Sequence, residues 1–106
     1  VEASERVVFS LKHRYAGRLD LLTDVALVDL KTRRADLGMY TSDQAQLDGY
    51  AIAAEEMGLI GPEPIDRVVL LAHDDGSWSE EKCWVPPGIF VKIVELYYAF
   101  RKTRVK

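Results

Sequence analysis

The chain has 106 residues, 48% of them hydrophobic, so it is long enough for one domain with a modest core and too apolar for a disordered segment. Its formal net charge of −3 argues against a general nucleic-acid coat but is compatible with a local basic surface. Cys83 is the only cysteine, which excludes an intrachain disulfide and a cysteine-ligated zinc or iron–sulfur site.

No apolar stretch has the length of a membrane span, and no secretory signal pattern is present. An intracellular location is therefore the default expectation. We expect residues 1–106 to form a single domain. The first residue, Val1, is not methionine, which is typical of a chain trimmed from a longer one.

Three strands are predicted in the first third of the chain. Residues 6–11 alternate loosely, residues 14–22 form a second run with Gly17 weakening its middle, and residues 25–31 form an apolar third run. Thr23-Asp24 is expected to form the tight turn between the second and third strands. The polar residues 33–40 are expected to form a loop.

A helix is predicted next, followed by a hairpin and a second helix. Residues 41–44 match a Thr-x-x-Gln capping box, and Gly58 can end the helix. Residues 67–73 and 78–85 are predicted to be strands joined by a turn at Asp75-Gly76. Pro86-Pro87 is expected to open the last helix, with Pro87 near its first turn. The order β-β-β-α-β-β-α indicates an α+β (mixed α/β) fold.

The third predicted strand ends with charged residues. Asp29 and Lys31 are two apart, so they share one face of a strand, and Asp20 lies in the preceding strand. Charges at the end of a buried strand are costly unless they are paired or bind a metal. Two carboxylates and a lysine at this spacing suggest a metal-dependent nuclease core, whereas an isolated Asp-x-Lys is most often a solvated strand edge with a surface ion pair.

A two-residue hairpin at Thr23-Asp24 would fix how these side chains meet. Leu22 would face Val25 and Asp20 would face Leu27, which makes Asp29 the diagonal neighbour of Asp20. Diagonal side chains on one face lie roughly 7–8 Å apart. The opposite face is then expected to hold Leu19, Leu21, Val28 and Leu30.

This cluster offers oxygen ligands. The carboxylates of Asp20 and Asp29 and the backbone carbonyl of Leu30 could bind Mg²⁺ or Mn²⁺, which lowers the pKa of bound water and offsets phosphodiester charge. Lys31 could orient that water and stabilise charge that develops on the phosphate.

These residues and the helix that follows resemble the PD-(D/E)xK nuclease superfamily, in particular its RecB-like and phage-type exonuclease branch. Residues 15–21 are similar to the Gly-x-x-Asp strand of that branch, residues 28–32 to its Asp/Glu-x-Lys-Thr strand, and residues 46–50 to its Gln-x-x-x-Tyr helix. The resemblance implies a restriction-endonuclease-like core with a central mixed sheet flanked by helices. It implies a Mg²⁺- or Mn²⁺-dependent deoxyribonuclease, most simply an exonuclease in recombination, repair or phage DNA processing.

The resemblance also implies roles for two helix residues. Gln46 and Tyr50 are four apart and share a helix face. In the family, the residue matching Gln46 orients the catalytic water or the DNA end, and the residue matching Tyr50 supports that arrangement or contacts DNA. Without the resemblance, Gln46 reads as a solvated helix residue and Tyr50 as a half-buried core aromatic. Arg33 and Arg34 could bind a DNA phosphate, and a solvated loop is the alternative.

Two features depart from the family. A helix with an assisting glutamate normally precedes the first strand. Residues 1–106 begin at about the first predicted strand, so we expect them not to include that helix, and neither Glu2 nor Glu5 is assigned as a ligand. Several relatives carry an iron–sulfur cluster, which this chain cannot bind. The alternatives are a weak or inactive fragment that needs an upstream segment, a homo-oligomer or a partner protein, and a non-catalytic DNA-binding or scaffolding domain. An unrelated α+β interaction module would be favoured if Asp20 and Asp29 pointed to opposite faces.

Overall fold

The protein is described by a computed structural model covering residues 3–34, 41–61 and 65–104. Its element order confirms the predicted α+β class and the predicted succession of strands and helices. The elements are β1 (Ala3–Ser10), β2 (Tyr15–Leu22), β3 (Ala26–Arg33), α1 (Thr41–Glu56), β4 (Asp66–His73), β5 (Trp78–Lys82) and α2 (Ile89–Arg104).

The strands form one five-stranded mixed sheet in the order β1-β2-β3-β4-β5. Only β3 and β4 are parallel, and α1 lies in the crossover between them, as a parallel connection requires. Helix α1 packs against β1, β2, β3 and β4, and α2 packs against α1. In the part of the chain that the structure describes, neither helix has the length and apolar character needed to cross a bilayer.

The core lies between α1 and the inner strands. Its leucines are removed almost completely from water, and each contributes on the order of 1.5–3 kcal/mol through burial. The fully buried cluster consists of Val8, Leu19, Leu22, Leu27, Leu47, Ala53, Ala54, Val69 and Leu71.

The turn between β2 and β3 differs from the prediction by one residue. Thr23 N–H donates to the Ala26 carbonyl at 2.8 Å, and the Thr23 hydroxyl accepts from Ala26 N–H at 2.9 Å. The tip is therefore Asp24-Val25 rather than Thr23-Asp24. Val25 is 65% exposed at this tip, so the prediction that it begins a buried strand is wrong. The threonine side chain forms a local turn that alternation of apolar residues does not reveal.

The new turn moves the strand register by two residues. Leu22 pairs with Leu27, so the predicted partners of Leu22 and Asp20 are wrong. Because side chains repeat every two residues, this shift keeps each side chain on its face. Continuing the register brings Asp20 directly opposite Asp29.

Leu19 does not lie on the opposite face as predicted. Leu19 and Leu22 are three residues apart, yet both belong to the buried core, so the alternation of β2 is interrupted between them. Glu5 on β1 lies opposite this point and has a φ of 46°, in the left-handed region. The interruption of alternation in β2 and the unusual backbone of Glu5 therefore lie at the same level of the sheet.

The predicted capping box does not form at Gln44. The Gln44 side chain is 1% exposed, and its Oε1 accepts hydrogen bonds from Trp84 N–H at 2.9 Å and Val85 N–H at 3.0 Å. These contacts hold the chain after β5, which ends at Lys82 rather than at residue 85. The Gln44 side-chain amide therefore binds the chain after β5 and does not cap the N-terminus of α1 as predicted.

Asp48 holds the start of α2 in a similar way. Its buried carboxylate accepts from Gly88 N–H and Phe90 N–H and pairs with the Arg67 guanidinium at 3.0 Å. Helix α2 begins at Ile89, two residues after Pro87, so Pro87 lies near its first turn as predicted. The carboxylate satisfies amides that the helix itself leaves unpaired.

The remaining boundaries agree with the sequence. Gly58 has a φ of 77° and follows the end of α1, and Leu59 N–H donates to the Ala54 carbonyl at 2.9 Å. The hairpin at Asp75-Gly76 joins β4 to β5 as predicted. Arg33 belongs to β3 rather than to the predicted loop, whose residues 35–40 lie outside the described residues.

Candidate functional site

The candidate site lies where β2 and β3 separate. Their ladder has bridges at Leu21–Val28 and Leu22–Leu27 and stops beside Asp20 and Asp29. Beyond it, Asp20 Oδ2 accepts from Leu30 N–H at 2.8 Å, in place of a strand partner. In an extended strand the C=O of a residue points to the same edge as its N–H, so the Leu30 carbonyl also faces β2. The structure thus brings Asp20, Asp29 and the Leu30 backbone together.

Asp29 is the buried centre of this group. It is 3% exposed, and its Oδ2 lies 3.1 Å from Lys31 Nζ. The ammonium is at ion-pair distance, and Oδ2 has no further partner within the described residues. A buried carboxylate is costly unless a positive charge compensates it, and Lys31 supplies one such charge.

The electrostatics of Asp29 reflect this crowding. Burial, followed by a hydrogen bond with the Asp20 carboxyl, raises the pKa of Asp29 to about 6, although Lys31 opposes the rise. Two carboxyls in contact disfavour double ionisation. This pair therefore gains from any cation that can replace the shared proton.

Lys31 connects the carboxylates to α1. Its Nζ donates to Gln46 Oε1 at 3.0 Å, and its side chain is 26% exposed. Gln46 is thus not simply a solvated helix residue. It holds the ammonium beside Asp29, and part of the Lys31 side chain remains exposed.

Tyr50 completes the group from the next turn of α1. Burial and then the charges of Asp29 and Asp20 raise the pKa of Tyr50, while a hydrogen bond from the Arg18 backbone opposes this rise. Its ring covers Gly17, where a Cβ atom would lie only 2.4 Å from Tyr50 Cε1. Sequence reasoning treated Gly17 as a weakness in the strand and missed this role, although its place in the Gly-x-x-Asp motif was a usable signal.

The donor set fits a hard divalent cation. Asp20, Asp29 and the Leu30 carbonyl would supply oxygen ligands, as Mg²⁺ and Mn²⁺ prefer. The burial of Asp29 and its contact with a second carboxyl both favour an added positive charge. Within the described residues no cluster of three or more His, Cys, Asp or Glu side chains could hold a metal, so backbone and solvent oxygens would complete the shell. Glu5 lies opposite Asp20 on β1, and Glu2 lies outside the described residues.

The predicted phosphate-binding arginines lie apart from the carboxylate pair. The Arg33 guanidinium binds the Asp43 carboxylate at 2.7 Å, and its side chain is only 15% exposed. Arg34 follows β3, its side chain is exposed, and its carbonyl lies 3.2 Å from His73 Nδ1. Arg33 therefore anchors the N-terminal turn of α1 to β3, and phosphate binding by either arginine stays a prediction.

Comparison with known proteins adds no assignment to this geometry. Neither the known protein-family models nor the curated proteins contain a match to this chain.

Proposed function

We propose that this domain is a divalent-metal-dependent deoxyribonuclease with a PD-(D/E)xK-type site. One observation carries the proposal: the buried Asp29 carboxylate lies 3.1 Å from Lys31 and adjoins a second carboxylate, Asp20. One lysine offsets the charge of only one of these two carboxylates. A divalent cation would offset both.

Each side chain has a distinct task in this proposal. Asp20, Asp29 and the Leu30 carbonyl would hold Mg²⁺ or Mn²⁺, which when bound supplies a water of lowered pKa and offsets phosphate charge. Lys31 would donate to a phosphate oxygen or orient the attacking water, because its Nζ lies 3.1 Å from Asp29 and its side chain is 26% exposed. Gln46 positions Lys31 through its 3.0 Å hydrogen bond, and Tyr50 closes the pocket over Gly17. More specifically, the enzyme would attack DNA ends, as an exonuclease does.

Cleavage of end-labelled linear DNA tests the function directly. We expect products with Mg²⁺ or Mn²⁺ and none with EDTA. Asp29→Ala and Lys31→Ala should each lower the rate by about 10²-fold or more, the effect of removing one group that stabilises developing charge. Asp24→Asn is the matched control, because Asp24 lies at the exposed tip of the same hairpin. Equal rates for Asp29→Ala and the unaltered protein would refute the assignment.

Closed circular DNA distinguishes the two modes of attack. An exonuclease leaves the circle intact while it degrades the same sequence after linearisation. An endonuclease opens the circle at the same metal concentration. Nicked or linear products from the circle would therefore identify the enzyme as an endonuclease and not an exonuclease.

A second candidate is a non-catalytic DNA-binding domain with this fold. The observation that favours it is the small donor set, with two carboxylates rather than three in the described residues. It predicts DNA binding that weakens steeply with salt, without cleavage under any divalent cation. Metal-dependent products that disappear in Asp29→Ala exclude it.

A further inference from the structure

A cleft with a volume of about 300 Å³ opens between β2, α1 and α2, next to the carboxylate pair. Its walls are mainly apolar and aromatic, and Gln46 adds a polar edge. At this volume the cleft is at the small end of ligand pockets, so it suits one planar ring system rather than a base pair. We call it the aromatic cleft, and its defining residues are Tyr15, Gly17, Gln46, Tyr50, Phe90 and Ile93.

The aromatic walls are held in place by close packing. The Tyr50 ring covers Gly17, and the Phe90 ring covers Gly49, where a Cβ atom would lie 2.6 Å from Phe90 Cδ2. Tyr15 donates its hydroxyl hydrogen to the Gly49 carbonyl at 2.6 Å and meets Phe90 edge-to-face, with ring centroids 4.8 Å apart. A ligand therefore meets rings that are already oriented, which reduces the ordering cost of binding.

Gln46 joins the cleft to the carboxylate site. Its Oε1 accepts from Lys31 Nζ, and Lys31 lies against Asp29. The amide nitrogen of Gln46 has no hydrogen-bond partner among the described residues, so it can donate to a molecule in the cleft. One side chain thus borders both the proposed phosphate position and the neighbouring aromatic space.

We propose that the aromatic cleft binds one unpaired nucleobase of the DNA strand whose phosphodiester lies at Asp20 and Asp29. This inference rests on the proposed nuclease function and specifies its substrate as single-stranded DNA or a frayed end. The aromatic side chains would stack on the base, and the Gln46 amide would donate to a ring nitrogen or carbonyl.

The chemistry of the cleft favours a nucleobase over an apolar protein side chain. Gln46 and Ser42 place polar groups in a largely apolar wall, and an apolar side chain would leave the free amide donor of Gln46 unsatisfied. The described residues that line the cleft carry no formal charge, so the strand meets no further carboxylate there.

Binding without cleavage tests this inference. The probes are a fluorescent short oligothymidylate and a chain of equal length and charge in which every deoxyribose lacks its base. Both are titrated in EDTA by fluorescence anisotropy. We expect the abasic chain to bind about tenfold more weakly, the loss typical of one base–aromatic stack. Equal affinities would overturn the inference.

A matched pair of variants on α2 locates the effect. Ile93 lines the cleft and is 45% exposed, whereas Leu96 is 62% exposed on the same helix and is not a lining residue. Ile93→Glu should reduce the affinity ratio of the two probes to near one, while Leu96→Glu should preserve it. Both sites are exposed, so we expect both variants to fold, and circular dichroism checks this. The same ratio in both variants would place base recognition outside the cleft and refute the proposal.

The same experiments separate this inference from the nuclease proposal. Base-dependent binding that Ile93→Glu abolishes, together with absence of cleavage by any divalent cation, would support the cleft and reject the nuclease. Metal-dependent cleavage with equal affinity for both probes would support the nuclease and reject the cleft.

Discussion

At the scale of single residues, Asp29 holds the most unfavourable electrostatic position in the site. It is buried, it touches the Asp20 carboxyl, and the Lys31 ammonium compensates it only in part. Metal-free protein should therefore keep a proton on this carboxyl at a pH where an exposed aspartate has lost it. A cation that displaces the proton would remove this conflict.

This conflict predicts a pH-dependent stability. The folded-state pKa of Asp29 is raised from 3.8 to about 6, so its contribution is fully present below about pH 4 and is lost as the pH rises through about 6. Asp29→Asn lacks this titration. In EDTA, we therefore expect the free energy of unfolding of Asp29→Asn, relative to that of the unaltered protein, to increase by on the order of 2 kcal/mol between about pH 4 and 7.

Urea unfolding at a series of pH values measures this difference. Asp24→Asn removes an equivalent charge at an exposed turn and should follow the unaltered protein across the whole range. Parallel curves for Asp29→Asn and the unaltered protein would show that the Asp29 carboxyl titrates normally in the fold.

At the scale of elements, the approach of α1 to β2 depends on Gly17. The Tyr50 ring occupies the space that any larger side chain would need, so the helix and the strand can come this close only over glycine. The contact places Tyr50 beside the two carboxylates and also forms one wall of the aromatic cleft. One residue without a side chain thus supports both parts of the candidate site.

Gly17→Ala should displace the Tyr50 ring and lower the free energy of unfolding by about 1–3 kcal/mol, the usual cost of overpacking. Gly61→Ala is the control, because nothing lies within 4 Å of the added methyl group there. The cost of Gly17→Ala should shrink in a Tyr50→Ala background, and thermal or urea unfolding of the four proteins measures this coupling. An unchanged cost in that background would show that Tyr50 is not the obstacle.

At the scale of the whole molecule, stability is expected to be uneven. The parallel β3–β4 ladder is paired continuously from Ala26–Asp66 to Arg33–His73, and it carries the fully buried Val69. Helix α2 packs mainly on α1, and its Leu96 is 62% exposed. The backbone amides of the central strands are therefore exposed to water only by larger unfolding events than the amides of α2.

Hydrogen exchange should reveal this difference. We expect the amide of Val69 to exchange at least about tenfold more slowly than that of Leu96, because its opening is closer to global unfolding. NMR-detected exchange at neutral pH measures both amides after correction for intrinsic rates. Slower exchange in α2 than in β4 would contradict this ordering.

Local sequence determined the order of the elements and part of the site. Two-residue spacing in β3 gives Asp29 and Lys31 a common face, four-residue spacing in α1 aligns Gln46 with Tyr50, and Gly58 ends that helix. These features depend on periodicity or on the conformation of one residue, so neighbouring residues suffice to predict them.

Tertiary structure decided which partners these residues meet. Several contacts depend on residues that are not neighbours in the sequence. They are the observed β2–β3 register, the burial of Leu19, the binding of the chain after β5 by Gln44, and the pairing of Arg33 with Asp43. Polar side chains satisfy their hydrogen bonds wherever packing brings a donor or acceptor, and sequence spacing does not encode that position. Only the folded chain could therefore show that the buried Asp29 carboxylate lies beside both Lys31 and Asp20.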